Sequence, residues 1–262
     1  MKLSLIIPVY NSSQILDELY KRIIRTLEEI NLNTNYEIFF INDCSLDASW
    51  QVIKRIASTD GNVKGINLKR NFGQHNAIMA GFNYCKGENI ITIDDDLQHP
   101  PESFGKILKK LKEHDVCYTH YRNRKHSTWK KNVSKLNNLI SSFLLDKPIS
   151  IYMSSFRGLK KKIVSEIVKS QSSNIYIDGK IINLTKNIGM ITIDHSARKI
   201  GKSNYNLRKL LKLWSNMLID FSFLPFRKAS ILGIILKFFI VLVRDKDNKV
   251  QFEVLDKLNI KK

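Results

Sequence analysis

The stretch Ile90–Pro101, IITIDDDLQHPP, places three consecutive carboxylates directly after an apolar run. Like charges at adjacent positions repel, so Asp94, Asp95 and Asp96 do not stabilise the end of a strand by themselves. In an extended segment Asp94 and Asp96 leave the same face, while Asp95 points to the other. Two hard oxygen ligands on one face, with Gln98 two residues further on, suit Mg²⁺ or Mn²⁺. The stretch therefore predicts a divalent-metal site at the end of a buried strand.

Strand and helix patterns alternate before this stretch and up to it. Apolar runs predict strands at Leu3–Val9, Tyr36–Ile41, Val63–Leu68 and Asn89–Ile93. Helical spacing predicts helices at Ser13–Ile30, Asp47–Ser58 and Gln74–Cys85. Such a βαβαβ series indicates an α/β protein with a parallel, doubly wound sheet, in which ligands bind beyond the carboxyl ends of the strands. We therefore expect three polar clusters to meet in one crevice: Tyr10-Asn11, Asn42–Ser45 and the Asp triplet.

The pattern changes beyond Pro101. It predicts a helix, a strand, a helix, a strand and an amphipathic helix at Glu102–Glu113, Asp115–Thr119, Ser127–Leu145, Ile188–Asp194 and Leu207–Asp220. The run Ala229–Val243 is apolar for 15 residues except for Lys237. As a helix it would reach about 22 Å, short of the roughly 30 Å hydrocarbon core. We interpret it as a membrane-associating segment that lies in the interface, with a buried C-terminal helix as the alternative.

These patterns divide the chain into three parts. We predict an α/β domain in residues 1–205, an amphipathic and apolar helical membrane-associating segment in residues 206–243 and a charged tail in residues 244–262. The three cysteines are widely spaced and include no C-x-x-C pair, which argues against a disulfide framework or a zinc site. A reducing cytosol is the compartment that this cysteine pattern favours.

The chain is strongly basic, with 43 Lys and Arg against 24 Asp and Glu and a net charge of +19. This excess suggests a polyanionic partner: nucleic acid, an anionic membrane surface or a phosphorylated substrate. The sequence contains no recognisable nucleic-acid-binding motif, and an acidic pocket would repel nucleic-acid phosphates. We therefore predict no nucleic-acid partner.

Basic and hydroxyl side chains recur together in the second half, as is typical of phosphate-binding segments. The residues are Arg122, Arg124, Lys130, Arg157, Arg198 and Lys202, with Ser134, Ser155, Ser203 and Tyr205 beside them. Arg198 and Lys202 flank Gly201 in a predicted loop, where a backbone can approach an anion closely.

Seven motifs in order, from Leu5 to Gly233, resemble those of the inverting family 2 glycosyltransferases of the GT-A fold. They are IIPVYN, NDCSLD, RNFGQHNAIMAG, DDDLQHPPE, SSFRG, RKIGKSNY and LPFRKASILG. More narrowly, the chain is similar to the polyprenyl-phosphate branch, which uses dolichol or undecaprenyl phosphate. The resemblance implies a Rossmann-like, mostly parallel sheet. It also implies sugar transfer from a nucleoside-diphosphate sugar to a polyprenyl phosphate in cell-surface glycan synthesis or modification.

The resemblance also implies roles for individual residues. It assigns the metal, Mg²⁺ or Mn²⁺, to Asp94, Asp96 and Gln98, and the nucleotide sugar to Pro8, Tyr10, Asn11, Asn42, Asp43 and Asp95. It assigns the acceptor phosphate to Arg122, Lys130, Ser134, Arg198, Lys202, Ser203 and Tyr205. The residues that it implies for catalysis are Asp94, Asp96, Arg122 and Arg198.

The sequence leaves the acceptor open. A lipid phosphate arrives ionised and needs no general base, whereas a sugar hydroxyl of a growing surface polysaccharide needs one, with Asp95 or an acidic residue near Asp178 as candidates. An inactive, transferase-like partner subunit is a further alternative, because Asn42 stands where many relatives have Asp and the C-terminal part is short. We expect peripheral attachment to the cytoplasmic face of the inner or plasma membrane. The base, the sugar and the formation of a homo-oligomer stay open.

Overall fold

The computed structural model describes residues 2–121, 142, 147–170, 175–193 and 250–260. The strands in this part of the chain are β1 Leu3–Val9, β2 Tyr36–Asn42, β3 Val63–Leu68, β4 Asn89–Thr92, β5 Val116–Tyr121, β6 Arg157–Lys160, β7 Ile188–Ile193 and β8 Val254–Leu258. The helices are α1 Leu16–Glu29, α2 Ser49–Thr59, α3 Gln74–Tyr84, α4 Phe104–Leu111, α5 Lys161–Val168 and α6 Ile177–Leu184, with a 3₁₀ turn at Pro101–Ser103.

All eight of these strands form one mixed sheet in the order β7-β5-β6-β4-β1-β2-β3-β8. The pairs β1–β2, β1–β4, β2–β3 and β5–β7 are parallel, whereas β6 and β8 run antiparallel to their neighbours. The carboxyl ends of β1, β2 and β4 therefore meet at one edge of the sheet, which we call the carboxyl edge. The α/β class and the four N-terminal strands agree with the sequence prediction, with bounds that shift by no more than one residue.

Helices cover both faces of the sheet, which explains why every residue of β1 and β2 is buried. One hydrophobic cluster joins α1, α2 and α4 through Leu16, Ile53 and Phe104. The other joins α3, α5 and α6. Helix α3 approaches β1 so closely that a Cβ on Gly81 would lie 2.7 Å from Ile6 Cγ2. This packing holds the start of α3 beside the carboxyl edge.

Residues Val254–Leu258 form the edge strand β8, although the sequence predicted only a charged tail there. Asn259 Nδ2 donates to the backbone oxygens of Ala57 at 2.7 Å and Val63 at 2.9 Å. Four apolar side chains of this segment pack against the core: Leu258 against the cluster of α1, α2 and α4, and Phe252, Val254 and Ile260 against the cluster of α3, α5 and α6. The tail prediction is therefore corrected for these residues.

The other C-terminal predictions lie outside the described residues. These are the helices at 127–145 and 207–220, the loop at 198–205 and the apolar run at 229–243. Within the described ranges, the structure contains no helix that combines the length and the apolar character needed to cross a bilayer.

Glu37 joins neighbouring segments at the opposite edge of the sheet. Its side chain is fully buried in β2 and accepts hydrogen bonds from Ser4 Oγ at 2.6 Å, Lys64 Nζ at 2.5 Å and the Lys86 backbone N–H at 2.5 Å. Burial opposes ionisation of this carboxyl, but the three donors outweigh it and hold the pKa of Glu37 below its ordinary value. The carboxylate is therefore ionised in the folded protein.

We expect Glu37 to make the protein sensitive to acid. Because the folded pKa is lowered, the stabilisation is present above the unfolded pKa and is lost as the pH falls through the folded pKa. Glu37→Gln should lower the free energy of unfolding by about 1.5 to 3 kcal/mol at pH 7, the value typical of hydrogen bonds to charged groups. Below about pH 4 the gap between parent and variant should narrow. Urea unfolding across a pH series measures this, and parallel pH curves would contradict it.

Candidate active site

Three loops meet at the carboxyl edge, after β1, β2 and β4. The Tyr10 backbone N–H donates to Asp95 Oδ2 at 3.0 Å, which joins the first loop to the third. The Asn11 backbone N–H donates to Ser45 Oγ at 3.0 Å, which joins the first loop to the second. The convergence predicted from the sequence is therefore confirmed.

Each of these loops contains one non-glycine residue with left-handed backbone. Asn11, Cys44 and Leu97 have φ values of 55°, 56° and 60°. Non-glycine residues seldom adopt this region, and such strain is concentrated at binding and catalytic sites. Leu97 is buried, whereas Asn11 is exposed at the rim. Strained backbone in all three adjoining loops indicates that this edge of the sheet is a binding site.

Asp95 is turned toward the β1 loop. Its Oδ2 accepts hydrogen bonds from the Tyr10 backbone N–H and from Ser12 Oγ, the latter at 2.5 Å. Burial raises the pKa of Asp95 to about 7, and the neighbouring Asp94 and Asp96 act in the same direction. This carboxyl therefore connects the loop after β4 to the loop after β1.

Asp94 is fixed by side chains from two other segments. Gln74 Nε2, at the start of α3, donates to Asp94 Oδ1 at 2.6 Å, and Ser155 Oγ, in the segment before β6, donates to Asp94 Oδ2 at 2.7 Å. The Asp94 backbone N–H donates to His99 Nδ1 at 3.2 Å. The sequence did not identify Gln74 as a site residue, and its position in the motif RNFGQHNAIMAG was the only available signal.

Asp96 is half-buried, and its Oδ1 accepts a hydrogen bond from the Gln98 backbone N–H at 3.1 Å. Two carboxylates and one amide oxygen are the donor types that Mg²⁺ and Mn²⁺ prefer, so Asp94, Asp96 and Gln98 fit a hard cation by their chemistry. Within the described residues, no group of three or more His, Cys, Asp and Glu could hold a metal by itself. Mg²⁺ in proteins usually keeps several waters and binds substrate phosphates beside one or two carboxylates.

The residues predicted to bind the nucleoside lie at the same edge, but two of them are buried and bonded within the protein. Asn42 Nδ2 donates to Asn67 Oδ1 at 2.7 Å, and Asp43 accepts hydrogen bonds from the backbone N–H groups of Phe72 at 2.7 Å and Gly73 at 2.9 Å. Burial raises the pKa of Asp43 despite these bonds. Pro8 is buried in β1, whereas Tyr10 and Asn11 are exposed at the rim. Of these residues, Tyr10 and Asn11 are therefore the ones exposed to solvent and accessible to a nucleoside.

Comparison with known proteins identifies the family of this chain. The profile of "Glycosyl transferase family 2" matches residues 4–168. The chain belongs to glycosyl transferase family 2. It is 32% identical over 234 residues to undecaprenyl-phosphate 4-deoxy-4-formamido-L-arabinose transferase of Proteus mirabilis, an alignment that covers 88% of this chain and 71% of the relative. The protein of the same name from Salmonella choleraesuis is 33% identical with the same coverage.

Two solved structures share the fold. S. aureus TarS 1–349 in complex with UDP-GlcNAc has a TM-score of 0.58 at 17% identity, over 86% of this chain and 68% of TarS. Glucosyl-3-phosphoglycerate synthase from Mycobacterium tuberculosis, in complex with Mn²⁺, UDP and phosphoglyceric acid, has a TM-score of 0.61 at 13% identity, over 83% and 78% of the two chains. At these identities the likeness shows the fold alone, and it confirms the GT-A-like α/β architecture.

In this family 2 glycosyltransferase, Arg157 lies in the protein core and not among surface phosphate ligands. Its guanidinium is 1% exposed and its Nη1 forms an ion pair with Asp178 Oδ1. Tyr118 Oη donates to the same Asp178 oxygen at 2.7 Å. The sequence grouped Arg157 with phosphate-binding side chains, and the structure corrects this, because strand β6 directs it into the cluster between the sheet and α6.

The predicted acceptor-phosphate residues of the glycosyltransferase lie outside the described residues. They are Arg122, Lys130, Ser134, Arg198, Lys202, Ser203 and Tyr205. Their roles, including the catalytic roles of Arg122 and Arg198, stay predictions. The chain segments that carry most of them nevertheless start at the carboxyl edge, because Tyr121 and Ile193 are the last residues of β5 and β7.

Proposed function

We propose that this glycosyltransferase moves a sugar from a nucleoside-diphosphate sugar to a polyprenyl phosphate of the undecaprenyl type, in the synthesis or modification of a cell-surface glycan. The reaction would take place at the cytoplasmic face of the inner or plasma membrane. The observation that carries the proposal is the identity of 31–33% with undecaprenyl-phosphate sugar transferases over 88% of the chain. The geometry of the crevice supports it in two respects.

First, the two carboxylates that could serve as the general base for a sugar-hydroxyl acceptor, Asp178 and Asp95, are both bonded within the protein. Asp178 is buried and bonded to Arg157 and Tyr118, so its oxygen already has two donors. Asp95 is bonded to the first loop through Tyr10 and Ser12. An acceptor that arrives ionised, such as a phosphate monoester, needs neither of them. This arrangement favours a lipid phosphate over a sugar hydroxyl.

Second, hydrogen bonds hold the carboxylates of the acidic turn, Asp94 and Asp96, in fixed positions before any cation binds. We assign Mg²⁺ or Mn²⁺ to Asp94, Asp96 and Gln98, where the bound ion would neutralise the charge of the departing nucleoside diphosphate. Gln74 and Ser155 fix the Asp94 carboxylate, and the Gln98 backbone N–H fixes that of Asp96. Carboxylates that are held before substrate binds lose little freedom during the reaction, so the site is organised in advance.

The remaining roles follow the resemblance and the accessibility of the rim. We assign the nucleoside to the surface formed by Tyr10 and Asn11, with Asn42 and Asp43 shaping the wall behind them. Asp95 would keep the two loops of that surface together. The acceptor phosphate would be bound by the basic residues predicted from the sequence, with Arg122 and Arg198 stabilising charge during transfer.

A transfer assay on the purified full chain tests the proposed function. Nucleotide sugars that raise the melting temperature in the presence of Mg²⁺ or Mn²⁺ identify the donor, because a ligand that binds only the folded state stabilises it. With that donor, we expect a lipid-linked sugar to form with undecaprenyl phosphate and not with soluble sugars. EDTA should abolish the product and added metal should restore it. Equal transfer to a soluble sugar would refute the lipid acceptor, and failure to bind any donor would favour an inactive partner subunit.

A further inference from the structure

Both oxygens of the Asp94 carboxylate accept hydrogen bonds from segments that are distant in the sequence. Gln74 Nε2 donates to Oδ1 at 2.6 Å, and Ser155 Oγ donates to Oδ2 at 2.7 Å. A carboxylate has about four acceptor positions on its two oxygens, so one donor on each oxygen leaves positions for a cation. The two contacts therefore fix the carboxylate without blocking it.

Ser155 is itself held by the interior of the protein. Its backbone oxygen accepts a hydrogen bond from Thr92 Oγ1, at the end of β4. The next residue, Phe156, is fully buried, and its backbone oxygen accepts a hydrogen bond from Thr119 Oγ1 in β5 at 2.8 Å. Thr92 and Thr119 are buried as well, so these bonds form in the low-dielectric interior, where hydrogen bonds are stronger than in water. The hydroxyl that reaches Asp94 is therefore attached to a rigid part of the sheet.

Gln74 is placed by the turn that begins helix α3. Gly73, the residue before it, has a φ value of 86°, a backbone conformation that favours glycine. Asp43, which is buried at the end of β2, accepts hydrogen bonds from the backbone N–H groups of Phe72 at 2.7 Å and Gly73 at 2.9 Å. The turn is thus bonded to the sheet. Gln74 itself is exposed, so its amide holds Asp94 from the surface of the crevice.

The backbone of Asp94 is held from a third direction. Its N–H donates to His99 Nδ1 at 3.2 Å. The His99 ring is buried and stacks on Phe156, with 5.1 Å between the ring centres and 15° between the planes. The position of Asp94 is therefore determined by α3, by the segment before β6 and by its own loop.

A carboxylate in a fixed position favours one class of cation over another. Mg²⁺ requires a nearly ideal octahedron of oxygens at about 2.0 to 2.1 Å, whereas Ca²⁺ accepts about six to eight oxygens in a flexible arrangement. Without the two donors, the charges of Asp95 and Asp96 would also repel the Asp94 carboxylate. Loosening Asp94 should therefore cost Mg²⁺ more binding free energy than it costs Ca²⁺.

We propose that Gln74 and Ser155 are positioning residues that set the affinity of the acidic turn for Mg²⁺ or Mn²⁺ and its preference for Mg²⁺ over Ca²⁺. Both act through Asp94, and neither is assigned to the cation itself. The proposal rests on the metal assignment in the proposed function and adds the residues that determine which cation the site retains. Side chains that hold a metal ligand typically contribute about 10- to 100-fold to metal affinity.

Metal titrations of the purified full chain test the proposal without a sugar donor or acceptor. Electron paramagnetic resonance of free Mn²⁺ gives the Kd for Mn²⁺, and displacement of bound Mn²⁺ gives the Kd values for Mg²⁺ and Ca²⁺. Ser155→Ala and Gln74→Ala should each weaken Mn²⁺ and Mg²⁺ binding by about 10- to 100-fold. Ca²⁺ binding should weaken by a smaller factor, so the preference for Mg²⁺ over Ca²⁺ should fall in both variants.

The controls separate the positioning role from an effect on folding. Ser155→Thr keeps the hydroxyl and should bind the cations like the parent. Ser58→Ala and Gln51→Ala change the same residue types at exposed positions of α2, and they should also bind like the parent. Because Gln74 is exposed, Gln74→Ala should keep the parental melting temperature in the absence of metal.

The results distinguish this inference from the proposed function on which it rests. Parental Kd values in Ser155→Ala and Gln74→Ala would overturn the inference alone. Equal weakening of Mg²⁺ and Ca²⁺ binding would overturn it as well, because the preference would then have another origin. A parent chain that binds none of the three cations would refute the metal assignment in the proposed function, and the inference with it.

Discussion

Replacing Asp96 with Asn should reduce the rate of sugar transfer by at least about 10²- to 10³-fold, the loss typical of removing one electrostatic contact to the transition state. The carboxylate follows β4 at the carboxyl edge and is one of two charged oxygen donors assigned to the cation. An amide keeps the shape and the hydrogen bond from the Gln98 backbone N–H, but it removes the charge that a divalent ion needs. Initial rates with the donor and undecaprenyl phosphate measure the effect across metal concentrations.

The matched control for this prediction is Asp17→Asn. Asp17 forms an exposed ion pair with Arg55 at 2.6 Å between α1 and α2, and exposed pairs contribute little to stability. We expect this variant to transfer sugar like the parent. The melting temperature of the Asp96 variant should stay within a few degrees of the parent value. Asp96 is half-buried, and its charge is repelled by the neighbouring Asp94 and Asp95, so its loss removes little stabilisation. If Asp96→Asn transferred sugar at the parental rate with metal present, the metal assignment would be wrong.

Asp178→Ala should lower the free energy of unfolding by about 3 to 5 kcal/mol, because it leaves the charge of Arg157 buried without a partner. Arg157 is 1% exposed, and its Nε has no hydrogen-bond partner among the described residues, so the guanidinium depends on Asp178. Tyr118 would lose its acceptor at the same time. Chemical denaturation with fluorescence and circular dichroism measures the change.

The double variant Arg157→Met, Asp178→Leu separates the structural role from a catalytic one. Replacing a buried ion pair by apolar side chains of similar volume is often neutral, so the double variant should recover most of the lost stability. It should also recover sugar transfer to the lipid phosphate, since neither side chain is assigned to the reacting groups. Recovered stability with lost transfer would instead identify Asp178 as the base for a hydroxyl acceptor, against the proposed function.

The N-terminal half of the fold could be predicted because its strands are buried on both faces and read as continuous apolar runs. Strands β6 and β8 could not be predicted in the same way. The sequence RGLK of β6 and the sequence VLDKL of β8 are short and neither alternates apolar with polar residues, and β8 lies in a segment dominated by charge. Each is a strand because of a distant partner, β4 or β3, that a local pattern does not contain.

The candidate site likewise has residues that could be predicted from the sequence and contacts that could not. The Asp triplet and the rim residues follow predicted strands, so topology alone brings them together. The contacts of Asp94 to Gln74 and Ser155 span 20 and 61 residues of sequence and depend on how α3 and β6 pack. Asn67, in register with Asn42 on the neighbouring strand β3, accepts the Asn42 side-chain bond, and no motif marked it. Arg157 was misassigned because a charged residue in a motif gives no sign of its burial.

The edge position of β8 has a consequence for biosynthesis. Asn259 Nδ2 and its acceptor on Ala57 are 202 residues apart, so β3 has no partner on its outer side until nearly the whole sequence has left the ribosome. The outer side of β3 therefore stays open while most of the chain is being made, and β8, the last of the described strands to be synthesised, closes that side against aggregation.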